Sequence, residues 1–228
     1  MTFVKNSLCE KSEIYYQRAE IYDALSMAED AEGHVFNFLL PYVRNKTVLD
    51  LGCGTGKYLK LFSPHAQHIT GLDAAEAQLS IARNKIKDCT NVSLVCGDAM
   101  NANLPLDKYE IIIACWVLGT IEDENKRLAI LKYMERLLSP GGAIYLVEND
   151  ATGRFEIIRG KTALSSAYNE WLRNVAHFEP AAKLATHFHF NHIDHAKDVI
   201  GTIWGPSVGS KVTSARIKHK ILIFKKTP

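Results

Sequence analysis

The stretch TVLDLGCGTGKYLKLF, Thr47 to Phe62, sets three glycines between an apolar run and a helical pattern. Thr47–Leu51 reads as a strand, the segment around Lys57–Phe62 as a helix, and the glycines as the turn that joins them. Glycine carries no Cβ, so such a turn lets a ligand approach the backbone closely. The helix start behind it presents free N–H groups. The same alternation continues down the chain. HITGLD (68–73) is followed by a helical pattern over Ala75–Ile86, then come VSLVCGD, YEIIIACWV, a helix over Asp123–Leu138 and GGAIYLVEN. Five apolar runs separated by helices predict an α/β fold whose parallel sheet is covered on both faces.

The Asp123 helix is marked by acidic residues in its first turn and by Leu128, Leu131, Met134 and Leu138 along one stripe. Gly141 and Gly142, just after Pro140, are read as its stop. The last third of the chain differs. THFHF and RIKHKILIFKK alternate like half-buried strands, separated by a helix from about Ile193 to Ile203, and KHKILIF is expected antiparallel at the end of the sheet. Before the sheet, two helices are expected, about Lys11–Ala28 and Ala31–Leu40. The chain thus divides into a helical lid segment, residues 1–44, and a main domain, residues 45–228.

Composition narrows the function. The 228 residues are 47% hydrophobic and 23% charged, enough for one full core. A net charge of +2, with basic residues spaced along the C-terminal strand, is too thin for a nucleic-acid footprint. MTFVKNSLCEKSE holds no apolar core of signal-peptide length, and no apolar run approaches a membrane span. Five cysteines without CxxC spacing argue against a disulfide framework or a zinc knuckle. A cytoplasmic protein with no membrane partner is expected. Its oligomeric state is not legible.

A dinucleotide, a mononucleotide phosphate and S-adenosylmethionine all suit the glycine turn. The dinucleotide pattern G-x-G-x-x-G is met only by Gly52 and Gly54, because Lys57 holds the third position and the next glycine is Gly56. Asp50 discriminates further. A pyrophosphate beside that carboxylate is repelled, whereas the ammonium of S-adenosylmethionine is attracted. Asp73 closes the second strand, about 20 residues beyond the glycines, where a carboxylate accepts from both ribose hydroxyls. Asp98 closes the third strand and suits the adenine amino group. Three aspartates at three strand ends would span the amino acid, ribose and base of one ligand.

VLDLGCGTG, GLD, GDA and LLSPGGAIYLVE, in this order and spacing, resemble the motifs of the class I S-adenosylmethionine-dependent methyltransferases, of the type that acts on small molecules, over roughly Lys46 to Asn149. The resemblance implies a Rossmann-like seven-stranded sheet of order 3-2-1-4-5-7-6 with strand 7 antiparallel. It implies that Asp50, Gly52, Cys53, Gly54 and Gly56 line the methionine end. Asp73 with Ala74 would hold the ribose, Asp98 with Ala99 the adenine, and Cys115 and Trp116 would lie beside the transferable methyl. Cys53 and Thr55 are read as loop members that contribute backbone. The family motif Asn/Asp-Pro-Pro-aromatic, which marks methylation of base or glutamine nitrogens, is missing from ACWVLGTIED.

The acceptor is expected to be a small molecule with an O, N or S nucleophile. A protein or peptide acceptor, or a non-catalytic cofactor-binding partner subunit, are the alternatives. VENDATGRFEIIRG reads either as a solvated loop turning at Gly153 or as a substrate edge, with Glu148 as base and Asn149 and Arg154 as contacts. Tyr15 and Tyr22, seven apart, share a helix face suited to the core, while EIYDAL resembles the family's lid and gives Tyr16 or Tyr22 a pocket role. His187, His189, His192 and His195 suggest a metal, but a polar strand face followed by a helix surface is the simpler account, and no metal is assigned.

Overall fold

Residues 15–100, 102–105 and 107–228 are described by the computed structural model. Seven strands, β1 (Thr47–Leu51), β2 (His68–Asp73), β3 (Val92–Cys96), β4 (Tyr109–Cys115), β5 (Leu138–Asn149), β6 (Glu179–His189) and β7 (Arg216–Lys226), form one sheet of order β3-β2-β1-β4-β5-β7-β6. β1 to β5 run parallel, and β7 pairs antiparallel with both β5 and β6. KHKILIF is antiparallel as expected, but it lies inside the sheet. β6 takes the edge, so β7 is paired on both sides and can be apolar on both faces.

Two cores flank the sheet. On one face α2 (His34–Val43), α3 (Lys57–Phe62) and α4 (Glu76–Ile86) bury Leu39, Leu59, Phe62 and Leu79 against Val48, Ile113 and Val147. On the other, α5 (Glu124–Leu137) and α7 (Thr162–Asn174) bury Leu131, Met134 and Leu172 against Leu49, Ile112 and Leu146. A third cluster joins α1 (Ala19–Ala28), α6 (Arg154–Arg159) and α8 (Ile193–Trp204) through Ala28, Phe155, Phe188 and Ile200. Among the described residues, no helix is long and apolar enough to cross a membrane.

The leading helices differ from the expectation. Residues 15–17 are helical, Arg18 breaks the run, and residues 11–14 lie outside the described residues. The second helix starts at His34, not Ala31, because the Asp30 carboxylate accepts from the His34 and Val35 amides at 2.9 Å each and caps it there. It runs to Val43, with Pro41 accommodated in the last turn. α5 is capped by Asp123, which accepts from the Asn125 and Lys126 amides. Gly141 and Gly142 do not stop that helix. It ends at Leu137 and passes straight into β5, and the glycines lie in the offset where Tyr109 pairs with Leu138 but Ile111 pairs with Ala143. VENDATGRFEIIRG is no solvated loop either. Gly153 turns the chain into α6, whose Phe155, Glu156 and Ile158 are buried. α7 was not foreseen, since its buried face includes Asn169 beside Trp171 and Leu172.

Candidate functional site

The glycine turn sits at the C-terminal ends of β1, β2 and β4. The Gly52 and Cys53 amides donate to the Leu72 carbonyl at 2.7 and 3.0 Å, tying the loop to the end of β2. Gly52, Gly54 and Gly56 all have φ between 52° and 80°. A Cβ at Gly52 would collide with the Val117 side chain, so the turn closes against β4 only with glycine there. At Gly54 the space above the backbone is open apart from Gln78 and the Tyr15 hydroxyl.

Asp50 and Asp73 are both buried. Asp73 is well supplied with donors: Ala75 N–H to one oxygen at 2.8 Å, Gly54 N–H to the other at 2.8 Å, and the Tyr15 hydroxyl to that same second oxygen at 2.7 Å. Burial, with the nearby Asp73 charge, pushes the Asp50 carboxyl up to about 7. A cationic group placed beside it would relieve both causes. Asp98 differs in being exposed, with its carboxylate in an Asx turn to the Met100 amide.

α1 crosses this loop and is fastened to it. The Thr55 hydroxyl donates to Asp23 at 2.6 Å, and Lys85 pairs with the same carboxylate. Lys57 donates to the Ser26 carbonyl at 2.8 Å and to that of Glu29. Thr55, read as a backbone member of the loop, thus acts through its side chain. Tyr15 stacks edge-on against Tyr22 at 4.9 Å, as a shared face requires, but its hydroxyl reaches the Asp73 carboxylate rather than a core. Tyr16 is about half exposed, and burial together with the Asp73 and Asp98 charges raises its phenol.

At the end of β4, burial holds the Cys115 thiol far above its ordinary range, so it is protonated. Trp116 follows at φ +56°, an unfavourable backbone for a bulky side chain. Two contacts hold it, and a third holds its partner Asn149. Its amide donates to the Val147 carbonyl at 2.8 Å, its indole N–H donates to Asn149 Oδ1 at 2.9 Å, and Asn149 Nδ2 donates to Glu156 at 3.0 Å. Glu156 is fully buried and also accepts from Arg159 and Ser165. Asn149 therefore orients the indole, and Arg154 stands exposed at the start of α6.

The indole faces a group that the motif reading passed over. His219, on β7, is buried among Trp116, Phe155 and Phe188, with ring centroids 6.4, 5.5 and 4.7 Å away. Its Nε2 lies 3.1 Å from Glu29 Oε1, at ion-pair distance but off the hydrogen-bonding line, and neither ring nitrogen has a hydrogen-bond partner among the described residues. The only sequence signal was a histidine in an otherwise strand-like apolar run. Glu148 lies on the opposite face of β5. There it accepts from the Tyr168 hydroxyl at 2.9 Å, and burial pushes its carboxyl up to about 8. Of the clustered histidines, His187 pairs with Glu32 at 2.7 Å and His192 caps α8, while Nδ1 of His195 is buried without a hydrogen-bond partner among the described residues. Among the described residues no group of His, Cys, Asp and Glu has the geometry of a metal site.

Residues 48–142 match the family model described as a methyltransferase domain. Demethylmenaquinone methyltransferase of Staphylococcus saprophyticus is 34% identical over 103 residues, 44% of this chain and 43% of that protein. The Listeria welshimeri protein of the same name is 26% identical over 146 residues, 57% of this chain and 61% of that protein. The matched stretch spans about half the length of these relatives. Among solved structures, N-methyltransferase NodS of Bradyrhizobium japonicum, in complex with S-adenosyl-l-homocysteine, superposes with a TM-score of 0.59 at 16% identity, covering 94% of this chain and 98% of that one. An S-adenosylmethionine-dependent methyltransferase of Aquifex aeolicus gives 0.59 at 14%, covering 97% and 99%. At such identities the likeness is one of fold. The strand order with its antiparallel β7 is the class I methyltransferase arrangement.

Proposed function

We propose that this chain, a class I S-adenosylmethionine-dependent methyltransferase, transfers a methyl group to a small molecule enclosed between the strand ends and the helices that precede β1. The observation that carries the reading is the convergence of Asp50, Asp73 and the open glycine turn under α1, with Trp116 held at the next strand end. The donor set fits the cofactor: a buried carboxylate for its ammonium, a second for its ribose and an exposed Asp98 for its adenine, while the lysines by the turn, Lys57 and Lys85, are engaged with α1. When bound, S-adenosylmethionine supplies a methyl already activated by the sulfonium.

What remains for the protein is to align the acceptor, exclude water and receive a proton. Alignment alone contributes about 7–11 kcal/mol to such a reaction. Trp116, Phe155 and Phe188 pack around His219 and make the proposed acceptor side apolar. His219 is the group best placed to take the acceptor's proton, with the Glu29 carboxylate beside it to stabilise the imidazolium. Glu148 is set aside as the base on position: it accepts from Tyr168 and sits beneath Gly119, on the face of β5 opposite to His219. Its proposed role is to support the turn after β4. Two relatives named for demethylmenaquinone, a small molecule, support a small acceptor. The test follows a labelled methyl from S-adenosylmethionine into a whole, undesalted cell extract that is then separated by size. Label in the small-molecule fraction is expected. Label on protein or RNA would replace this reading with one in which α1 is a docking surface.

A further inference from the structure

We infer that Tyr15 is a latch on the nucleoside site: its hydroxyl occupies the carboxylate oxygen that a ribose hydroxyl needs, so the segment around α1 must release Asp73 before the cofactor can enter. The inference rests on Asp73 being the ribose carboxylate, as proposed above. An ionised carboxylate oxygen offers about two lone-pair positions. On Asp73, one oxygen takes the Ala75 amide and keeps a position free. The other takes both the Gly54 amide and the Tyr15 hydroxyl and is full. A ribose diol that bonds both oxygens at once therefore finds one half of its seat already filled.

The filling is built in. Tyr15 is held from a second side by Gln78, whose Nε2 donates to the Tyr15 carbonyl at 2.9 Å. Its ring packs against Tyr22 of α1. Its hydroxyl stands 4.0 Å from the position a Cβ would take on Gly54, in the space above the loop that the missing side chain leaves open. The contacts of Asp23 with Thr55 and Lys85, and of Lys57 with the end of α1, fasten the same helix without touching the Asp73 carboxylate. Those can persist in the loaded protein, whereas the Tyr15 hydrogen bond is in direct competition with the ligand. Burial and the Asp73 charge keep the phenol protonated, so it remains a donor at any working pH. A ligand that binds only the released state has its affinity lowered by the fraction of molecules released.

The test is titration of S-adenosylhomocysteine into the wild type, Tyr15→Phe and Asp73→Ala by calorimetry, with amide hydrogen exchange of residues 15–28 measured in the free and loaded wild type. Tyr15→Phe removes one oxygen and should bind roughly five- to thirtyfold tighter, the reach of a single charge-assisted hydrogen bond. Amides of residues 15–18, the segment that the Tyr15 contacts hold, should exchange faster in the loaded protein. Equal or weaker binding by a folded Tyr15→Phe, or slower exchange on loading, overturns the latch and makes Tyr15 a wall of the closed site. If Tyr15→Phe does not fold, the wild-type exchange result decides alone. If the wild type binds no S-adenosylhomocysteine, the cofactor reading itself falls and the latch with it. Binding by the wild type that Asp73→Ala leaves unchanged removes only the ribose assignment on which the latch depends.

Discussion

The proposed nucleoside side of the site and the proposed acceptor side are assembled from different distances along the chain. Asp50 near the end of β1, the three glycines of the turn after it, Asp73 closing β2 and Asp98 two residues past β3 all fall within one run of the chain. The proposed acceptor side pairs residues from opposite ends of the sequence. Glu29 at the end of α1 meets His219 on β7, and Glu32 meets His187 and Arg216 from 155 and 184 residues away. The first half is fixed by local strand–turn–helix geometry, so a mutation there should change cofactor affinity. The second depends on the docking of α1, β6 and β7, and mutations there should act on transfer or on stability instead.

The largest expected separation of the two comes from His219→Gln. Loss of a proton acceptor costs about 100-fold or more in rate, so labelled methyl transfer in the extract should fall by that order while S-adenosylhomocysteine affinity stays unchanged. Equal losses in both would place His219 on the nucleoside side. Asp73→Ala should do the reverse, weakening S-adenosylhomocysteine by about 2 kcal/mol, or roughly 30-fold, by calorimetry.

A pH titration sharpens the nucleoside half further. Asp50 has its carboxyl pushed up to about 7 by burial and Asp73. The ligand's ammonium favours the ionised form, so below that pH binding must expel a proton and affinity should fall by up to about tenfold per pH unit. Above it affinity should level off. Calorimetry in two buffers of different ionisation heat would show proton release at pH 6 and little at pH 8.

The smallest effect belongs to the docking side. Glu32 accepts from Thr186, from the backbone and ring of His187, and from Arg216, which hold its carboxyl down to about 2. A carboxyl lowered on folding contributes stability above its unfolded value, and that contribution is lost as pH falls towards the folded one. Glu32→Gln should therefore cost about 1 kcal/mol at pH 7 in denaturant unfolding. The gap to the wild type should narrow from pH 4.5 downward.

The same difference in distance explains what the sequence could tell. Strands β1, β2 and β7, the helix α3 and the places of Asp50 and Asp73 at their strand ends were legible because each rests on a local pattern: alternation, a glycine turn, an acidic residue closing a strand. The start of α2 was misread because Asp30, itself at φ +51°, moves the cap to a carboxylate that no periodicity marks. α7 escaped because it buries Asn169, which donates to the Asn149 carbonyl at 3.0 Å and so breaks the apolar stripe. Tyr15 was assigned to a core face, yet its hydroxyl bonds a carboxylate 58 residues on. His219 lay in a strand pattern, and only the sheet order, with β7 between β5 and β6, brings it to Trp116 and to the end of α1.

The most direct measurement of the central claim is a paired calorimetric titration of the wild type with S-adenosylhomocysteine and with NADH. The buried carboxylates Asp50 and Asp73 at the glycine turn predict binding of S-adenosylhomocysteine and none of NADH. Binding of NADH with no response to S-adenosylhomocysteine would contradict the account and return the loop to the dinucleotide enzymes.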